Sequence, residues 1–350
     1  MPVTPDDGAA RTAPRSGEAA AIADAAVSPT TPADRADAAV VICAYTERRW
    51  HELEAAVASV ATQTVPPREL VVVIDNNPAL LARARDGLTV THVVPNHHGP
   101  GISGGRNTGF DVSAAQILVF LDDDATAEPQ WLAALTAAYS DPTVLGAGGP
   151  VLPVWQDGKP DWFTDELNWV VGCTWTGMAE HDGAVIRNPV GANMSVRRDV
   201  FESVGGFTGA LGRREQQGKV VTGAADETDF CIRAARRFPG RTFRFVQDAR
   251  VHHMVPTSRA TFRYYRERCV VEGRSKAVLT GLSGAKSGLA SERTYVRSVL
   301  PRAILRELAR RDLAGIRRAG AIIAGAGLTA AAYAEARIVG SVRTSARHPT

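Results

Sequence analysis

Only four cysteines occur in 350 residues, and Cys43, Cys173, Cys231 and Cys269 are far apart with no C-x-x-C pair. That spacing argues against a zinc ribbon or a disulfide framework, and scattered single thiols fit a reducing compartment. An excess of one charge is also lacking. The net charge is +3, so no global electrostatic case for nucleic acid arises, and none is expected as a partner. No uncharged apolar run reaches the ~20 residues that span a bilayer; the longest, Ala319 to Ala334, is rich in Ala and Gly. No basic head joined to an apolar run opens the chain, so no secretory leader is expected. There is no Walker loop, no G-x-G-x-x-G after the first strand and no internal repeat.

What the sequence does contain is ordinary globular composition, 45% hydrophobic and 22% charged, enough for a sizeable core. The first 37 residues are mostly Ala, Pro, Thr, Asp and Arg and cannot bury enough surface to offset their ordering entropy, so a disordered tail is expected there. Beyond it, buried-strand patterns at Ala39–Ala44, Leu70–Ile74, Val90–Val94 and Ile117–Leu121 alternate with helical ones. In Trp50 to Gln63, Leu53, Val57 and Val60 share a helical face, and a further helix is expected over Pro129 to Tyr139. Continuous apolar strands between amphipathic helices predict an α/β fold, a doubly wound, mainly parallel sheet with helices on both faces. After Gly149 the pattern loosens. Short strands are expected near Asn193–Val196 and Phe243–Val246, and helices from Asp226, over Arg259–Leu279, and from Thr294 to about Val342.

In an open parallel sheet, ligands bind outside the carboxyl ends of the strands. Three polar clusters follow strand ends here: "YTERR", "DNNP" and "DDDA". Asp122 and Asp124 are two apart, so an extended turn can point both the same way, toward a hard divalent cation that wants carboxylate oxygens. A solvated loop is the plain alternative. "GPGISGGRNTGF", Gly99 to Phe110, has the glycines that let backbone N–H groups approach phosphates, and with Arg106 and Asn107 it suggests a lid over a nucleotide. "DETD" opens a helix, where acids in the first turn are ordinary; Asp226 read as an N-cap would be worth about 1 kcal/mol or less.

The order of "VVICAYTER", "VVVIDNN", "GISGGRNTG", "VFLDDDA", "NPVGANMSVRRDVFESVGGF" and "DETDFCIR" resembles family 2 glycosyltransferases, over about Ala39 to Pro256. The resemblance implies the GT-A fold and an inverting enzyme that uses a nucleotide-diphosphate sugar of UDP, GDP or dTDP type. Ala44, Tyr45 and Glu47 then form the nucleotide edge, Asp75 holds the base, and Arg106 and Asn107 contact the nucleotide. Asp122 and Asp123 lie on the donor, Asp124 is the better ligand for Mn²⁺ or Mg²⁺, and Asn193 lies in the floor near donor sugar and acceptor. The family's Glu-Asp is reversed here, so Glu227 matches the general base and Asp226 is its alternative; Glu227 is expected to be ionised near neutral pH. In "ARVHHMVP" the spacing to Val255-Pro256 favours His253 as the metal-side histidine, with His252 in reserve. Among the tryptophans, Trp155, Trp162 and Trp175 fall in the acceptor half as stacking candidates.

The resemblance implies a catalytic domain over 38–258, split into a nucleotide-sugar half to 149 and an acceptor half from 150, then a helical extension over 259–342 and a tail over 343–350. The acceptor class stays open among glycans, lipid-linked glycans and small molecules. The rivals are a nucleotidyltransferase and a non-catalytic sugar-nucleotide binder. Cytoplasmic location is expected. Arg302, Arg306, Arg310, Arg311, Arg317 and Arg318 beside an apolar helix raise a peripheral contact with the inner face of the membrane, against the alternative of a solvated basic face on a packed helix pair.

Overall fold

The computed structural model describes residues 35–209, 214–216, 219–222 and 225–345, so most of the tail expected at the N-terminus lies outside the described residues. The elements up to the acidic turn are β1 (Ala36–Ala44), α1 (Trp50–Ala61), β2 (Pro67–Ile74), α2 (Pro78–Gly87), β3 (His92–Pro95), α3 (Ile102–Val112) and β4 (Ile117–Asp122). Then follow β5 (Ala125–Ala127), α4 (Trp131–Ala137), β6 (Val144–Gly148), β7 (Val151–Trp155), β8 (Val185–Ile186), β9 (Asn193–Arg197) and α5 (Arg198–Val204). The remainder comprises β10 (Arg214–Gln216), β11 (Lys219–Thr222), α6 (Asp226–Arg237), β12 (Thr242–Phe245), β13 (Val251–Val255), α7 (Phe262–Gly288), α8 (Ala290–Thr294), α9 (Leu300–Ala309) and α10 (Leu313–Ser345).

Eight strands form the main sheet in the order β3-β2-β1-β4-β9-β6-β12-β8. The pairs β1–β2, β2–β3, β1–β4 and β6–β12 are parallel; β9 runs against both β4 and β6, and β8 runs against β12. The expected mainly parallel sheet is therefore present, with β9 reversed inside it and β8 reversed at its edge. Register fixes what meets at the edge: Cys43 lies opposite Asp122 on one side and Val73 on the other. The strand ends carrying Tyr45, Asp75 and Asp122 thus open onto one edge.

The apolar runs are buried on both faces, which is why they read as continuous rather than alternating. Ile42, Val72 and Val119 pack in one core cluster; Val41, Val71 and Leu118 pack in the other. On α1 the expected Leu53, Val57 and Val60 are buried, joined by Trp50 and Ala56.

A second sheet, β5-β13-β7, was not predicted as such. Strands of three to five residues are too short for a period to register, and polar His252 and His253 interrupt β13. Its pairing sets His253 opposite Ala125 and Pro153, directly beside the acidic turn. Helices follow at the C-terminus, as expected. α7 runs to Gly288, with a kink at Gly284, whose φ is 73°. α10 continues to Ser345, past the expected tail boundary. It crosses α7 where glycines allow close approach: a Cβ on Gly273 would meet the Thr329 carbonyl, and one on Gly325 would meet the Tyr265 hydroxyl. Tyr265 also donates to the Ala321 carbonyl at 2.6 Å.

Candidate active site

The acidic turn is built by β4 ending at Asp122 and the chain reversing into β5. Asp123 and Asp124 are nearly fully buried, and Asp122 is half-buried. Three adjacent carboxylates in such a place need neutralisation. Arg49, in the 3₁₀ turn Glu47–Arg49 after β1, puts Nη1 2.8 Å from Asp123 Oδ1 and 2.6 Å from Asp124 Oδ2. Its guanidinium also covers the exposed Tyr45 ring, 4.9 Å from the centroid. His253 Nε2 is 3.2 Å from Asp124 Oδ1, and Arg259 is 3.7 Å from Asp124 Oδ2. Asp123 Oδ2 is buried with no hydrogen-bond partner.

These contacts separate the two inner carboxylates. Burial raises Asp123, only partly offset by Arg49, to about 8. Burial also opposes ionisation of Asp124, but His253, Arg49 and Arg259 outweigh it and hold Asp124 well below the usual carboxylate range. Burial works against the His253 imidazolium too; Asp124 outweighs burial and lifts His253 to about 10. The ring is steadied on its far side by the Cys173 thiol, 3.8 Å from Nδ1.

Liganding atoms of Asp122, Asp124 and His253 lie within 4.8 Å of one another. The donor set is two carboxylates and one imidazole, with a further buried carboxylate oxygen left unpartnered. It fits a divalent ion such as Mn²⁺ or Mg²⁺. Of the two histidines, His253 faces this cluster, while His252 points the other way and meets Glu128 Oε1 at 3.0 Å. His253→Ala is therefore expected to raise the metal concentration for half-maximal turnover at least about 10-fold, by the scale of lost metal-site partners. His252→Ala is expected to leave it within about 2-fold. A metal titration of turnover for both variants checks the ranking, and equal shifts would contradict it.

Arg106 joins the acidic turn to the helix that opens with "DETD". It is buried on α3, with Nη2 3.6 Å from Asp122 Oδ1, Nη1 3.5 Å from Asp226 Oδ2, and a hydrogen bond from Nη2 to the Gly191 carbonyl at 2.9 Å. Ser103 Oγ donates to Asp226 Oδ2 at 2.8 Å. The capping reading of Asp226 is not what the structure shows. The N-cap position is Ala225, no side chain caps the helix, and Asp226 is buried in a charge pair. Asp226→Asn removes one charge of a buried pair, so the expected cost is about 3 kcal/mol, the lower end for breaking such a pair, rather than the ~1 kcal/mol of a lost cap. Urea unfolding of wild type and variant measures it.

Glu227 is half-buried beside Asp226. Burial and the neighbouring carboxylate raise it to about 8 against the pull of Arg106. The expectation of a carboxylate ionised at neutral pH is thus corrected: desolvation and the like charge outweigh the helix N-terminus. Cys43, at the same edge, is pushed up by burial to about 12, so it remains a thiol rather than a nucleophile.

The other sequence-predicted residues fall into two groups. Ala44 is buried and its carbonyl accepts from Asp75 N, while Tyr45 and Glu47 are exposed beyond the strand end. Asp75 accepts from Asn96 Nδ2 at 2.7 Å and from Gly101 N at 2.8 Å, tying the strand end to the start of α3. Asn107 and Asn193 hold the frame. Asn107 closes both ends of its amide on the Phe207 backbone, at 2.9 and 3.0 Å. Asn193, fully buried, accepts from Trp131 Nε1 and donates to the Pro150 and Ala249 carbonyls.

The Gly-rich stretch is a wall rather than a lid. It folds into α3, and a Cβ on Gly105 or Gly109 would collide with Cys43 or Val41 of β1. Gly101 alone needs glycine for its backbone, with φ at 104°. Trp155 and Trp162 pack edge-on against Phe163 in an aromatic cluster with Phe262 and Tyr265. Trp175 is half-buried outside that cluster.

A mainly parallel sheet with an acidic turn at its carboxyl edge, and a buried Arg106–Asp226 pair beside half-buried Glu227, defines a GT-A-like fold. The glycosyl transferase family 2 pattern matches residues 39–205. A glucosyl-dolichyl phosphate glucuronosyltransferase of Haloferax volcanii is 36% identical over 246 residues, 69% of this chain and 76% of that protein. The succinoglycan biosynthesis protein ExoM of Rhizobium meliloti is 29% identical over 269 residues, 71% of this chain and 80% of that one. Among solved structures, a mannosyltransferase from Pyrobaculum calidifontis, in complex with GDP-Man and Mn²⁺, shares the fold at 17% identity and a TM-score of 0.52 over 84% of this chain and 87% of that one. The chain belongs to glycosyltransferase family 2. It is a glycosyltransferase, which sets aside the nucleotidyltransferase and purely binding readings.

Proposed function

We propose that the enzyme moves a sugar from a nucleotide-diphosphate donor to an acceptor hydroxyl with inversion, with Glu227 as general base. The observation that carries this is the placement of Arg106: one guanidinium within 3.6 Å of both the acidic turn and Asp226. The donor edge and the base are thereby held in one frame. Asp122, Asp124 and His253 hold the divalent ion, which when bound supplies Lewis-acid neutralisation of the leaving diphosphate. Tyr45, Glu47 and Asp75 line the nucleotide edge. Glu227 takes the acceptor's proton as the new bond forms, and Arg106 favours the ionised carboxylate that can accept it. Asp226, paired with Arg106 and Ser103, positions this group.

The acceptor reading is a lipid-linked saccharide met at a membrane surface. Two observations support it. The 36%-identical relative is named for a glucosyl-dolichyl phosphate substrate. The C-terminal helices carry exposed Leu305, Leu308, Leu313, Ile316 and Ile323 among the arginines at 302, 310, 311 and 317, an amphipathic arrangement suited to lying on anionic lipid. Within α10, Leu313–Val339 is also long and apolar enough to cross a bilayer by length and composition alone, longer than the uncharged stretch suggested.

A donor screen tests the reading. UDP-, GDP- and dTDP-sugars are offered with Mn²⁺ and either a polyprenyl-phosphate-linked sugar in vesicles or a free sugar. Release of nucleoside diphosphate that depends on the lipid-linked acceptor is expected. Pyrophosphate release would overturn the reaction, and preference for the free sugar would overturn the acceptor class.

A further inference from the structure

A second constellation of metal-ligating side chains stands away from the acidic turn, where β3 gives way to α3. His97 Nε2 is 2.9 Å and His98 Nε2 2.7 Å from the same oxygen, Asp111 Oδ2. The three ligand atoms lie within 4.8 Å of one another, and all three residues are exposed. The two imidazoles face each other at 5.0 Å between centroids, tilted by 34°. As hydrogen bonds, the pair asks one carboxylate oxygen to accept two N–H groups in open solvent, where such contacts are worth little.

We infer that His97, His98 and Asp111 form a binding site for a late first-row divalent ion of the zinc class, distinct from the catalytic metal site. Two imidazole nitrogens and one carboxylate oxygen are the usual protein ligands of zinc, with water in the fourth position. Tetrahedral bonds of ~2.0–2.2 Å set ligand atoms roughly 3.3 Å apart, which small side-chain rotations on this exposed surface supply. The imidazole-rich set selects zinc, nickel or copper over magnesium or manganese, the reverse of the carboxylate-rich set at Asp122, Asp124 and His253.

The backbone says what the ion would fasten. His97 N donates to Thr108 Oγ1 and His98 N to Asn96 Oδ1, while Thr108 Oγ1 donates to the same Asn96 oxygen. Asn96 in turn donates to Asp75 Oδ1 at 2.7 Å. An ion bridging His97–His98 to Asp111 would pin the loop after β3 to the far end of α3. It would stiffen the frame around Asp75, and this link to the donor, unlike the binding itself, rests on the proposed function.

The test needs neither donor nor turnover. Zinc alone is titrated into the full chain in the presence of saturating Mg²⁺, by competition with a chromophoric chelator and by melting temperature, for wild type, His98→Ala, Asp111→Asn and Asp124→Asn. One zinc equivalent is expected in wild type and in Asp124→Asn, with a zinc-dependent rise in melting temperature. His98→Ala and Asp111→Asn should each bind it at least ~10-fold more weakly, by the scale of lost metal-site partners, and lose the rise. These residues are exposed, so the variants fold. No stoichiometric binding, or equal binding in His98→Ala and wild type, would overturn the site. Loss of zinc only in Asp124→Asn would return the ion to the catalytic cluster.

Discussion

Glu227→Gln is expected to lower transfer by roughly 10²- to 10⁴-fold, the usual worth of a general base, while donor affinity changes little. The substitution keeps the shape of the acid and removes its capacity to take a proton. The pH profile makes the test sharper. Burial and Asp226 place the Glu227 carboxyl at about 8. A base acts only when ionised, so about one enzyme in ten is competent at pH 7. The acceptor kcat/KM should therefore rise about 10-fold per pH unit below 8 and level off above it. The same shift has a stability consequence. A carboxyl raised in the folded state favours folding in its protonated form, so its ionisation erodes stability as pH climbs from its unfolded value through 8. Glu227→Gln should thus lose less stability than wild type on going from pH 6 to pH 9. A variant with a wild-type rate and the same pH profile would move the base elsewhere, first to Asp226.

Asp124→Asn is expected to weaken metal-dependent donor binding by on the order of 10²-fold, the upper range for a disturbed metal site. Asp124 is the carboxylate held most firmly in its ionised form, by His253, Arg49 and Arg259 together, although burial opposes it. The same crowding adds a second effect. With Asp124 neutral, Arg49 keeps Asp123, and His253 loses the partner that raises it. The metal-free protein should then bind donor about as weakly as metal-free wild type. Calorimetric titration of donor with and without Mn²⁺ separates these cases. Equal affinity and equal metal dependence in the variant would remove the ion from this turn.

The sequence carried the frame of this site more fully than its electrostatics. Apolar runs such as Leu70–Ile74 and Ile117–Leu121 are long enough to declare buried strands. Because parallel strands share a carboxyl edge, their polar ends could be brought together on paper. The family resemblance, through the spacing to Val255-Pro256, also pointed to His253 as the histidine nearer the site. What stayed hidden depends on contacts across long stretches of chain. Arg49 stands in plain view in "YTERR", yet its two carboxylate partners are more than seventy residues on. Cys173 lies in a segment with no pattern of its own, while Ser103 and Arg259 sit in recognised segments but meet partners, Asp226 and Asp124, more than a hundred residues away in sequence. The Asp226 cap was read from local chemistry, and burial against Arg106 overrode it. Asn107 and Asn193 look alike in a motif whether they touch ligand or backbone, and the structure commits both to backbone or core partners.

The stereochemistry of the product tests the central claim most directly. An α-configured nucleotide sugar accepted in the donor screen is turned over once with a lipid-linked acceptor, and the new linkage is read by the one-bond carbon–proton coupling at the anomeric centre. Direct displacement with Glu227 taking the acceptor's proton gives a β linkage in wild type and no linkage at all in Glu227→Gln over the same time. An α linkage would contradict the account.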